Sequence, residues 1–377
     1  MIKSKVYILA IALLSLTLSA SAQDEESWFS RTAKKLLQED VPSEKARFLA
    51  YPTLAFAPET GLEIGISSVY FYHPKQDTLN RLSEITGFTF ITTRRQYGLW
   101  FDHALYTDKN NWFFFGRTRY QNFPLLYYGI GPEAPSEEIA LVNATYTLVR
   151  ERGLRKIKES FYAGLELDYQ RLSRVGFEWT DTDAPNILPL GSEGTANLGL
   201  GLGLVYDNRH NILNVRKGFF AEISYLNYNF LIRRNAPFYS FNVDSRIYRP
   251  VRKNQVFAAQ VLGQFMSGDI PFNQLALMGG ESMMRGYYLG RYRDRNLTAA
   301  QVEYRWLPFS FSKRIGAAVF AGAGSVFPDL RTTPQFVWSA GAGARILIFK
   351  KKDIYTRFDF ALTNEGTGFY LFLGEAF

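Results

Sequence analysis

Apolar residues occupy every second position through most of this chain. Phe161, Ala163, Leu165, Leu167 and Tyr169 interleave with Tyr162, Gly164, Glu166, Asp168 and Gln170. Leu198, Leu200, Leu202, Leu204 and Tyr206 alternate with Gly199, Gly201, Gly203, Val205 and Asp207. Ile354, Phe358, Phe360 and Leu362 alternate with Tyr355, Arg357, Asp359 and Ala361. A period of two belongs to a β-strand, whose side chains point to opposite faces in turn. One face is therefore apolar and the other carries both signs of charge. Such an apolar face meets a second sheet in a soluble sandwich and acyl chains in a membrane barrel.

The pattern predicts about sixteen strands. They run over 48–57, 60–73, 82–93, 96–107, 111–122, 138–151, 158–171, 196–207, 217–231, 238–250, 254–268, 297–307, 314–325, 335–349, 352–362 and 368–377. An even number brings both ends of a barrel wall to one side of the membrane, the periplasmic side. The last segment places Phe369, Leu371, Leu373 and Phe377 at alternate positions, as the final strand of an outer-membrane barrel does.

The start of the chain supplies the address. Lys3 and Lys5 precede an apolar run from Val6 to Leu18, and Ala20-Ser21-Ala22 forms a small-residue cleavage site. Residues 1–22 therefore read as a cleaved signal peptide. Trp28, Phe29, Ala33, Leu36 and Leu37 then recur at helical spacing, so 23–47 reads as a short amphipathic segment at the membrane surface or barrel mouth. No later apolar run is long enough for a transmembrane helix. Aromatic residues make up 16%, with 32 Phe and 23 Tyr, and there is no Cys. The expected fold is all-β: a transmembrane antiparallel β-barrel over 48–377 in the outer membrane of a Gram-negative bacterium.

The net charge of +8 is explained by where the cations lie. Short connections are basic: Arg150, Arg152, Arg155, Lys156 and Lys158; Arg209, Arg216 and Lys217; Arg249, Arg252 and Lys253; Lys313 and Arg314; Lys350, Lys351 and Lys352. Placed on the periplasmic side, each cation near an anionic lipid surface is worth about 1 kcal/mol. The long connections are 123–137, 172–195 and 269–296. Nucleic acid is not an expected partner for an exported chain.

The third long connection contains Gly279, Gly280, Arg285, Gly286 and Tyr287. Here the chain resembles the bacterial surface antigen family, the outer-membrane protein insertases and two-partner secretion transporters. Their barrels carry Gly-Gly and an Arg-Gly-aromatic triplet in this loop. Tyr206-Asp207-Asn208-Arg209 with Lys217-Gly218, Gln301 to Arg305, Gly341 to Arg345 and Tyr355 to Asp359 resemble further segments of that family. Phe369, Leu371, Leu373, Gly374 and Phe377 resemble its C-terminal assembly signal. The resemblance implies a loop folded into the lumen, with Glu303 as the partner of Arg285. A buried guanidinium needs such a carboxylate on physical grounds too. Two departures stand out. Gly322 occupies the place of a second family carboxylate, so Arg285 is expected to have one acidic partner. No room exists within 23–47 for the polypeptide-transport-associated domains of well-known members.

An enzyme is not expected. The three His residues, His73, His103 and His210, lie in no triad arrangement, and no metal-ligand spacing or cofactor motif is present. The expected function is insertion, assembly or translocation of protein or lipid at the outer membrane. Its partners would be outer-membrane lipid, an unfolded outer-membrane protein or lipid client, and a periplasmic protein. A weak seam between first and last strands would provide the mechanism. A passive small-solute channel and a surface-interaction barrel are the alternatives.

Overall fold

A computed structural model describes residues 47–57, 60–77, 80–180, 187–209, 214–230, 237–350 and 353–377. The predicted signal peptide and amphipathic segment lie outside the described residues, except that Arg47 opens the first strand. The strands are β1 (Arg47–Ala57), β2 (Gly61–Tyr72), β3 (Ser83–Thr92), β4 (Tyr97–Tyr106), β5 (Trp112–Asn122), β6 (Leu125–Tyr127), β7 (Ala140–Lys158), β8 (Phe161–Trp179), β9 (Thr195–Asp207), β10 (Gly218–Phe230), β11 (Phe238–Arg252) and β12 (Gln255–Gly268). There follow β13 (Ala276–Met278), β14 (Tyr292–Asp294), β15 (Asn296–Trp306), β16 (Ile315–Phe327), β17 (Val337–Phe349), β18 (Ile354–Thr363) and β19 (Thr367–Leu373).

Each wall strand pairs antiparallel with its neighbour in sequence, and β19 meets β1. The short β6 continues β5 along β7, so the wall is a closed barrel of 16 strands. The β13–β14 hairpin stands apart from the wall, within the connection from β12 to β15. Closure matters because an open sheet edge in hydrocarbon leaves backbone groups without partners.

The alternation in the sequence becomes an outside and an inside. Leu165, Leu202 and Ile66 are 69%, 61% and 58% exposed on the outer face. Their chain neighbours Glu166 and Ser67 are buried on the inner one, and Arg345 and Asp359 are fully buried there.

Among the described residues the seam is the shortest ladder between neighbouring wall strands. The β1–β2 pairing runs unbroken from Arg47↔Phe71 to Ala57↔Gly61. Among the described residues the β1–β19 pairing carries a single pair, Phe56↔Leu371. A ring contact between Phe56 and Phe369, 5.8 Å between centroids, spans the junction.

Three expectations need correction. The cations Arg150 to Lys158 do not form a turn: all lie in β7, because β7 and β8 extend well beyond their predicted ends. Arg150 and Arg152 face inward, where Arg152 Nη1 meets Glu222 at 2.8 Å and Arg150 pairs with Asp168. Inward-facing ion pairs interrupt the hydrophobic signal without interrupting the strand. The loop predicted at 172–195 is correspondingly shorter, beginning after Trp179. Finally, the last strand ends at Leu373. Phe369 and Leu373 face outward and Gly374 N still donates to Tyr355 O of β18 at 2.7 Å, but Glu375 to Phe377 leave the wall, and Phe377 is buried with Val215, Tyr248 and Val256.

Candidate functional site

The connection 269–295 carries the residues singled out in the sequence, and its own backbone folds it back. Gly279, at φ +115°, adopts a conformation that disfavours side chains, and a β-carbon there would stand 2.2 Å from the Tyr288 carbonyl oxygen. Gly280 N donates to Tyr287 O at 3.0 Å, and Gly290 N to Met278 O at 3.1 Å, closing the tip above the β13–β14 hairpin. Met278, Met283 and Met284 pack with Leu297, Ala299 and Val326 on the inner face of the wall. Met side chains suit an irregular gap of this kind.

Arg285 is completely buried. Its Nη2 donates to Glu303 Oε2 at 2.6 Å, and its Nη1 to Asp359 Oδ2 at 2.6 Å. Its guanidinium carbon lies 3.4 Å from the centroid of the Phe320 ring. The expectation of a single acidic partner is therefore corrected. The second carboxylate comes from β18, on the far side of β16 and β17. Gly322 of β16, where the family's acid would stand, offers no carboxylate and lies beside Met284: a β-carbon at 322 would be in ordinary contact with Met284 Sδ at 3.5 Å.

Arg285 belongs to a larger ionic cluster. Arg345 Nη1 donates to Asp359 Oδ1 at 2.6 Å, its Nη2 to Glu303 Oε1 at 3.2 Å and its Nε to Glu375 Oε2 at 2.9 Å. Arg305 Nε donates to Glu303 Oε1 at 2.9 Å, and Arg357 Nη1 to Asp359 Oδ2 at 2.9 Å. Four arginines thus face three carboxylates: Arg285, Arg305, Arg345 and Arg357 against Glu303, Asp359 and Glu375. Of this set, sequence reasoning gave a role in the site only to Arg285 and Glu303. The parity of alternation contained the rest, since Arg345, Arg357 and Asp359 are all inward positions of adjacent strands.

The rest of the tip grips the last three strands. Gly286 N donates to Tyr370 Oη at 2.9 Å, and a β-carbon at 286 would stand 2.6 Å from Thr363 Cγ2. The Arg285 carbonyl accepts a bond from Ser339 Oγ. Tyr287 Oη donates to Trp338 O at 3.1 Å and contacts Asn364 Oδ1. Burial pushes the Tyr287 hydroxyl up from 10.0 to about 12. Arg291 reaches both oxygens of Glu365, at 2.6 and 2.7 Å, and Tyr292 Oη meets the same carboxylate at 2.5 Å. These contacts join the loop to the β18–β19 turn, beside the seam. Arg293 lies over the Tyr127 ring at 5.0 Å, and burial lowers its guanidinium to about 10.

The C-terminal residues reach the same cluster from the other end. Arg305 Nη2 donates to Phe377 O at 3.0 Å, and its guanidinium stands 5.1 Å from the Phe377 ring. His103 and Glu151 approach to 3.2 Å, His73 Nδ1 lies 2.9 Å from Asn80 O, and His210 is outside the described residues. Among the described residues no cluster of metal-ligating side chains occurs.

No curated protein matches the chain. Among solved structures, BamA from Haemophilus ducreyi lacking POTRA domains 1-3 is similar at a TM-score of 0.56 and 14% identity, covering 88% of this chain and 70% of that one. CdiB from Escherichia coli is similar at a TM-score of 0.56 and 12% identity, with 89% of this chain and 63% of that chain covered. CdiB from Acinetobacter baumannii gives 0.52 and 10%, covering 88% and 60%. The chain thus spans less than two thirds of either CdiB chain. A family model described as the Omp85 superfamily domain matches residues 93–377, and this match, with the barrel it describes, places the chain in the Omp85 superfamily.

Proposed function

We propose that this barrel assembles or translocates protein or lipid at the outer membrane of a Gram-negative bacterium, working through its seam rather than through catalysis. The observation that carries the reading is the short β1–β19 ladder, a single residue pair among the described residues. A strand edge with few partners offers free backbone donors and acceptors, and an extended client segment can pair with them by strand addition. The loop bearing Arg285 acts as an internal strut: it ties β15, β17, β18 and the β18–β19 turn together, so that the wall keeps its shape while the adjoining seam parts.

Depleting the protein from its native cell and quantifying the outer-membrane proteome tests the proposal. A fall in other barrels or in surface-exported proteins is expected. Unchanged levels of all of them, together with unchanged lipid composition, would remove the assembly reading. A large, steady conductance of the purified barrel that is indifferent to the loop would favour a passive channel instead.

A further inference from the structure

Two neighbouring turns differ from the other short turns on the same rim. The β2–β3, β4–β5, β7–β8 and β9–β10 connections each hold or adjoin a carboxylate: Asp77, Asp108, Glu159 and Asp207. Several of these pair at once with nearby cations, as Lys75 with Asp108 at 2.6 Å and Arg209 with Asp207 at 2.9 Å. The β11–β12 turn and the β15–β16 turn contain no acid at all. Because β12 pairs with β15, the two turns stand side by side on the rim. Arg252, Lys253, Lys313 and Arg314 are exposed there, with no ion pair among the described residues. Arg249 shares the outer face with its partner Phe257.

An aromatic ladder descends beside these cations. Tyr304 and Trp306 lie 4.8 Å apart, Trp306 and Phe309 6.3 Å, and Phe309 and Phe311 5.0 Å and nearly parallel. Tyr304 faces outward opposite Phe257, so the ladder belongs to the lipid side of the wall. Phe311 is 82% exposed, the highest value among the large hydrophobic side chains described. Fixed cations without counter-charges complement a phosphate, while an exposed stack of rings complements the glycerol and upper acyl region beneath it.

We propose that the β11–β12 and β15–β16 turns form a binding surface for the headgroup of an anionic phospholipid, with Phe311 inserted below the phosphate. The inference rests on the membrane-barrel reading and adds a particular lipid class at a particular arc of the rim. It is tested with spin-labelled phosphatidylglycerol and phosphatidylcholine on the full chain in phosphatidylcholine vesicles. The motionally restricted fraction is expected to favour phosphatidylglycerol by about fivefold or more at low salt. The R252Q/K253Q/K313Q/R314Q variant should bring the preference close to one, while K109Q/K158Q on the opposite arc keeps it. Equal loss in both variants, or retention in the first, overturns the site.

Heat-dependent gel mobility reports whether each variant is folded. F311S is the second variant: it should weaken retention of phosphatidylglycerol without altering mobility, and unchanged retention counts against the inserted ring. If inorganic phosphate abolishes the preference where sodium chloride of equal ionic strength does not, the cations take free phosphate and the lipid assignment falls. Failure of the wild-type chain to float with vesicles would overturn the membrane reading itself.

Discussion

At the scale of single residues, charge counting decides which substitutions the interior tolerates. The cluster beneath the loop holds four arginines and three carboxylates. Removing one partner of a buried pair commonly costs about 3–5 kcal/mol because the other charge is stranded. Arg285→Ala strands nothing: Glu303 keeps Arg305 and Arg345, and Asp359 keeps Arg345 and Arg357. The barrel should therefore stay folded while loop 269–295 loosens, read as faster cleavage of that loop by external protease; an unchanged rate would count against the Arg285 anchor. Asp359→Ala is the opposite case. It leaves four cations to Glu303 and Glu375, and should destabilise the barrel by about 3–5 kcal/mol in denaturant unfolding from detergent. Equal stability of the two variants would refute the counting argument. Tyr287 gives a pH dependence. Its hydroxyl is raised from 10.0 to about 12 in the folded chain, so the contribution of its burial is complete below pH 10 and lost as pH climbs through about 12. The tyrosinate difference spectrum of wild type minus Tyr287→Phe should show a midpoint near 12, and a midpoint at 10 would show an open loop.

At the scale of elements, the wall strands were legible and their inward chemistry less so. Strand positions followed from alternation alone, and β2, β4 and β12 begin or end within a residue or two of the pattern. The pattern failed at β7, where Arg150, Arg152 and Lys156 look like a solvated turn in one dimension. Only the facing strands show that Glu166, Asp168 and Glu222 neutralise that stretch. The loop presents the converse problem. Its glycines and Arg285 were visible as a motif, but the second carboxylate was sought on β16 and lies on β18. The loop packs through methionines and tyrosines against β15 to β19, so deleting 275–290 should raise the single-channel conductance severalfold while the heat-shifted gel band of a folded barrel persists. Identical conductance would mean that the loop does not obstruct the interior.

At the scale of the whole molecule, the one-pair seam sets the distribution of stability around the ring. A ladder of one pair among the described residues has little to oppose opening, whereas the neighbouring ladders bring eleven and seven residue pairs into register. Phe56 and Leu371 are direct partners, and antiparallel partners stand about 4.5–5.5 Å apart at Cα, within disulfide range. Because the chain has no native Cys, F56C/L371C makes a clean lock. Oxidised, it should fail to support normal levels of other outer-membrane proteins, and reductant should restore them; full function while locked would exclude seam opening from the mechanism. What the sequence determined by itself was the two-faced wall, since a period of two assigns every residue to lipid or interior without knowledge of its neighbours. The identity of the motif loop was equally local. Tertiary structure alone decided which charges meet inside, how far the long β7–β8 hairpin extends, where Phe377 turns away from the wall, and how little joins β1 to β19. Each of those depends on strands distant in sequence coming to the same height in a closed ring, and that height is set by the shear of the whole barrel rather than by any one strand.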